Sequence, residues 1–127
     1  MNAKLKNAVI KQLGDVESLH DVASHGASGG FSGFIYYSET CKFFKQNRAE
    51  IVALCKEMAD EFGQDVISFV AGFNCLTDDA ETRDEIGRAI YGRMKTKDCV
   101  VANALAWFAL EETANEYTNE IFEKENA

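Results

Sequence analysis

The stretch from about residue 98 to 123 constrains this chain more than any other. Its first half, VVANALAWFAL at Val100–Leu110, is nearly all apolar. A helix that is apolar on every side must be surrounded by other parts of the protein or by lipid. No apolar run in the chain approaches the roughly 18 residues a membrane helix needs. The stretch therefore reads as a helix running through the centre of a core. Val100, Ala104, Trp107, Ala114, Tyr117 and Ile121 form one stripe, and Val101, Leu105 and Phe108 widen it toward the N-terminal half. The second half turns amphipathic and acidic.

The rest of the chain reads as shorter helices. All 127 residues pass without a proline, which fits helices joined by short connections. Residues 2–13 place Leu5, Val9 and Leu13 on one face, and Gly14 ends the helix. Residues 15–24 form a second helix with Asp15 as N-cap. Ser38 can cap a helix over 39–62, with Phe44, Ile51, Cys55, Met58 and Phe62 on one stripe. Residues 64–73 are apolar on most faces and belong in the core. Thr77-Asp78-Asp79 opens a helix that turns Ile86, Ile90 and Met94 inward. Between the second and third helices lies HGASGGFSGFIYY, residues 25–37. Four glycines in eight residues cannot be helix interior, and Phe34-Ile35-Tyr36-Tyr37 has strand-forming residues. The expected fold is mainly α within an α+β class. About five helices pack around the central C-terminal helix, with one short β-hairpin or small antiparallel sheet, as a single globular domain over 1–127.

Charge is unevenly spread. The net charge is -8, from 21 acidic and 13 basic residues. Residues 50–85 hold ten acids against two bases, while residues 1–49 hold four acids against six bases. The acids Asp78, Asp79, Glu81, Asp84 and Glu85 form one block. Glu112, Glu116 and Glu120 recur at four-residue spacing on the last helix, where like charges mildly destabilise an isolated helix. Such acids either solvate a face or meet a basic partner. Tyr36 and Tyr37 have the apolar body and polar tip of interface anchors. These ten residues are the candidate partner-binding set.

Enzymatic and metal readings find less to stand on. His20 and His25 are the only histidines, and five residues apart they do not share a helical face well. No calcium-loop spacing occurs, and the glycine loop lacks the strand before, the helix after and the G-K-[ST] of a phosphate loop. The four cysteines, Cys41, Cys55, Cys75 and Cys99, contain no C-x-x-C pair and read as free thiols of a cytoplasmic chain. His25 with Cys41 beside the glycine loop makes an alternative, a small enzyme or ligand-binding domain. No cofactor, metal or catalytic residue is expected on the main reading.

The run from Glu17 to Leu76, with Tyr91–Arg93 and Val101–Ala114, resembles a family of small phage and prophage proteins. That resemblance implies a phage or mobile-element origin and action in the bacterial cytoplasm, and it brings no active site. Gly29-Gly30-Phe31 through Tyr37-Ser38, with the later Ala106-Trp107 pair, is also similar to the ArdB/KlcA antirestriction proteins. The likeness departs after the tryptophan, where this chain has Phe108-Ala109-Leu110. Taken together, the expectation is a non-enzymatic inhibitor of a bacterial defence system, anti-CRISPR or antirestriction. Its partner would be a host defence protein or ribonucleoprotein complex, with no direct contact to nucleic acid or membrane. A structural phage protein forming homo-oligomers is the third reading.

Overall fold

The computed structural model describes residues 2–25, 34 and 36–125. Among them are seven helices: α1 (Ala3–Leu13), α2 (Val16–His25), α3 (Tyr37–Gln46), α4 (Arg48–Glu61), α5 (Val66–Ala71), α6 (Ala80–Ile90) and α7 (Cys99–Glu125). Short polar side chains start four of them. Asn2 accepts from the Leu5 N–H at 2.8 Å, Asp15 from Ser18 at 2.8 Å, Asp65 from Ser68 at 2.9 Å and Asp79 from Thr82 at 2.7 Å. Each satisfies an N–H that the first turn leaves without a helical partner, which contributes about 1 kcal/mol. Gly14, at φ 108°, ends α1 in a backbone region that side chains with a Cβ rarely enter.

Helix α7 is the hub. It packs against α1, α2, α3, α4 and α6. Val101, Ala102, Leu105, Ala106, Ala109 and Leu110 are buried along it, meeting Leu5, Val9, Leu19, Val22, Phe34, Phe43 and Phe44 in one continuous core. The alanines are what allow several neighbours to reach a single helix, because a bulky residue at each position would hold them off. Aromatic rings close the two ends of this contact. Phe34 meets Phe43 and Trp107 at ring separations of 5.1 and 5.6 Å. On the other side Phe69 and Phe73 pack on Phe108 at 5.8 and 5.0 Å, which fastens the short helix α5. Edge-to-face and offset rings of this kind add attraction beyond area burial.

Several expectations need correction. No strand occurs among the described residues, so the β-hairpin or small sheet is absent there. Tyr36 occupies the N-cap position of α3 and Tyr37 is its first residue. Phe34 sits in a turn with its side chain fully buried. Strand propensity favours a strand for this aromatic run, but burial of Phe34 against Phe43 and Trp107 outweighs it. The glycine-rich residues 26–33 lie outside the described residues. The single helix expected over 39–62 is two helices divided at Asn47, and its outer end, Phe62, is exposed. Val100, expected on the inner stripe of α7, is 52% exposed.

Candidate protein-docking face

The acidic block at the start of α6 comes to lie beside the start of α3 and the start of α7. Two contacts fix this arrangement. Cys41 and Cys99 form a disulfide with their Cα atoms 5.5 Å apart. One turn further into α7, the buried Thr40 hydroxyl donates to Asn103 Oδ1 at 2.5 Å. A side chain from α6 reaches the same place, where Glu85 accepts from the backbone N–H of Val101 in the first turn of α7. That position suits a carboxylate because first-turn N–H groups point outward unpaired.

Burial pushes the Glu85 carboxyl up, and the nearby Asp98 charge adds to it. Burial likewise pushes up the Tyr37 hydroxyl, and the Glu85 charge contributes. The Glu85 charge, 48 positions away in sequence, therefore reaches the Tyr37 hydroxyl. Tyr36 is 66% exposed and Tyr37 is 47% exposed, and Val100 is exposed in the first turn of α7. Glu81 and Asp84 are exposed, and with Glu85 they line a shallow cleft of about 300 Å³ that also takes in Lys95 and Lys97. This face thus sets exposed tyrosine beside a cleft of mixed charge, in which Glu81, Asp84, Glu85 and Asp98 stand with Arg88, Lys95 and Lys97.

Other members of the expected set are occupied elsewhere. Asp79 is the cap of α6. Asp78 forms an ion pair with Arg83 at 2.6 Å, which holds its carboxyl below the usual range. Glu120 pairs with Lys6 at 2.8 Å across α1 and α7. Glu112 and Glu116 are half-buried, and burial pushes the Glu112 carboxyl up, with Glu111 adding to it. At 1.5 Å of rise per residue, Glu112 lies roughly 16 Å along α7 from Val101. The two acidic sets therefore do not form one surface.

The alternative pair of His25 and Cys41 fares differently. Cys41 is buried and bonded to Cys99, so it offers no thiolate, and the reading of four free thiols is corrected to two. The His25 side chain lies outside the described residues. Of the free cysteines, Cys75 is exposed, and Cys55 is buried with its thiol pushed up to about 12, by burial first and by Glu112 second. Burial pushes the Cys75 thiol up as well, so neither thiol is activated. Cys75 alone is accessible, and the folded, unreduced protein is expected to take up one alkylating group slowly, at Cys75. Mass spectrometry of peptides after iodoacetamide treatment measures this. Labelling of Cys41 or Cys99 without reductant would show the bond to be absent. No group of three or more His, Cys, Asp or Glu among the described residues could hold a metal ion. No helix there is long and apolar enough to cross a membrane.

Sequence reasoning missed the ion pair that supports this face from beneath. Arg88 donates through Nε and Nη2 to the two oxygens of Asp98, at 2.5 and 2.9 Å. Asp98 is only 1% exposed and also accepts from the Lys95 N–H at 3.0 Å. Ten positions separate the two charges and no helical period links them. Burial of an aspartate in a charged loop has no local signal.

Residues 1–123 match the model of a domain of unknown function, DUF7222. The chain belongs to the DUF7222 family. The match takes in α1 to α6 and all but the last two residues of α7, so the whole docking face lies within the DUF7222 domain. No curated protein and no solved structure matches the chain.

Proposed function

We propose that this DUF7222 protein is a phage- or mobile-element-encoded inhibitor of a bacterial defence system, of the anti-CRISPR or antirestriction kind, acting in the host cytoplasm. It works by stoichiometric docking on a cationic surface of a nucleic-acid-binding protein complex. The observation that carries this reading is exposed Tyr37 within reach of the Glu85 charge, where Glu85 shares a cleft with Glu81 and Asp84, and exposed Tyr36 directly precedes Tyr37. Tyrosines supply buried contact area with little entropy to lose, and they are among the commonest residues that dominate binding. Carboxylates around them speed encounter with a basic groove and repel nucleic acid itself. The net charge of -8 acts in the same direction over longer range.

The experiment uses purified restriction and CRISPR effector complexes, with DNA cleavage and co-elution as readouts. Wild-type protein is expected to inhibit at one-to-one stoichiometry and to weaken as salt rises. Tyr36→Ala combined with Glu81→Lys and Asp84→Lys should weaken binding by about 30-fold or more. Tyr36, Glu81 and Asp84 are exposed, so the variant should keep its helical circular dichroism. Unchanged inhibition by the triple variant would refute the docking mechanism, and no inhibition of any complex by wild type would refute the function.

A further inference from the structure

Adjoining the docking face, with which it shares Asp84, Arg88 and Lys95, a cleft of about 540 Å³ opens between α5, α6 and the connection to α7. We propose that it binds the phosphate group of a small phosphorylated ligand with a hydroxylated body. Four of the chain's 13 basic residues line it: Arg83, Arg88, Arg93 and Lys95. Asp78 neutralises Arg83 and Asp98 neutralises Arg88. Arg93 and Lys95 are exposed and make no ion pair with a described residue. Even with Asp84 counted, the cleft carries a surplus of positive charge on a protein that is otherwise strongly negative.

The backbone that carries these two cations is held from both ends. Gly92 turns the chain at φ 74°, with the Arg48 guanidinium 3.4 Å from where a Cβ would stand. Arg48 Nη1 donates to the Ile90 carbonyl at 2.7 Å, and the Arg93 N–H donates to the Arg88 carbonyl at 2.8 Å. The Lys95 N–H is fixed by Asp98 at 3.0 Å. The backbone of the loop is held by these hydrogen bonds while Lys95 has no ion-pair partner among the described residues and Arg93 rests only on the Tyr91 ring, which lowers the entropy cost of gathering a ligand. The donors left over are the N–H groups of Arg93, Lys95 and Nη1 of Arg88, which a phosphate can engage from several directions at once. Charge-assisted bonds of this geometry are the strong ones. Asp84 would repel a second anionic group and suits a hydroxyl donor. Tyr91, with Arg93 over its ring at 5.8 Å, and Ile67 supply an apolar wall for the ligand's body. The volume lies within the range of small-molecule sites.

Titration of the full chain at low salt, by calorimetry and amide NMR, tests this with inorganic phosphate, ribose 5-phosphate and adenosine 5′-monophosphate as probes. Saturable one-to-one binding of at least one ester is expected, with shifts at Gly87, Gly92 and Lys95. Tighter binding of the nucleotide would favour a stacked base on Tyr91, and tighter binding of the sugar phosphate a polar body held by Asp84. Arg93→Ala with Lys95→Ala should weaken binding by about tenfold or more with an unchanged melting temperature. No saturable shift with any probe at roughly 10 mM, or equal binding by the double variant, would overturn the proposal.

Discussion

Reduction of the Cys41–Cys99 bond should lower the melting temperature by about 10–20 °C. The bond closes a loop between positions 58 apart. Loop closure of that length removes enough unfolded-state freedom to contribute about 4 kcal/mol, and for a domain of this size each kcal/mol moves the midpoint by roughly 3–5 °C. Thermal unfolding with and without reductant measures the shift. Cys41→Ala with Cys99→Ala should melt low and show no response to reductant, since Cys55 and Cys75 are already free. A wild-type midpoint that ignores reductant would mean the bond contributes nothing. The location of the bond matters as much as its strength, because it ties the start of α3, with Tyr36 and Tyr37, to the start of α7, with Val100. In the reducing cytoplasm where the proposed inhibitor acts, the two thiols would stand free, and the start of α3 would be held to α7 by the Thr40–Asn103 hydrogen bond and core packing.

Asp98→Ala should be nearly as damaging, at about 3 kcal/mol. It strands the Arg88 guanidinium, whose side chain is 26% exposed, and removes the acceptor of the Lys95 N–H. Removing one partner of a buried pair costs more than the pair itself contributes, and the partial exposure of Arg88 keeps the loss at the lower end. The same pair sets an acid limit. The Arg88 guanidinium first, and the Lys95 N–H after it, hold the Asp98 carboxyl down at about 2, below its usual 3.8. A carboxyl depressed on folding gives stability that is fully present above its ordinary value and is lost as pH falls through about 2. Helical circular dichroism from pH 5 to 1.5 should fall steeply at the acid end for wild type and less so for Asp98→Asn. The slope of the variant should not vanish, because the capping carboxylates Asp15, Asp65 and Asp79 are also held low by the N–H groups they accept from. An identical profile for both proteins would remove Asp98 from the account.

What could be read from sequence was what a single helix dictates. The Leu5, Val9 and Leu13 stripe, the Asp15 cap, the opening of α6 after Asp78 and the central position of α7 all follow from local periodicity and capping. What could not be read depends on partners far away in the chain. The break at Asn47, the helical start at Tyr37, and the pairs Cys41–Cys99 and Arg88–Asp98 are set by how helices pack, and no spacing within one helix encodes them. For the candidate face, the acidic block was visible as composition. Which members are spare was not. Asp79 is consumed by a cap and Asp78 by Arg83, whereas Glu81 and Asp84 remain in solvent. The cationic stretch from Arg83 to Lys97 was hidden for the opposite reason, since a net charge averages it away.

The hub position of α7 also bears on how the chain is made. Helices α1 to α4 and α6 reach the core through a segment translated after all of them. At about 5–20 residues per second, the 27 residues of α7 take roughly 1–5 s to appear. Throughout that interval Leu5, Leu19, Phe43 and Ile86 have no finished surface to bury against. Ribosomes that stall within α7 would release chains with their apolar faces open, ready substrates for chaperones and proteases. Yield in the cell should therefore depend on the codons and temperature that govern this last stretch, more than on those that govern the helices before it.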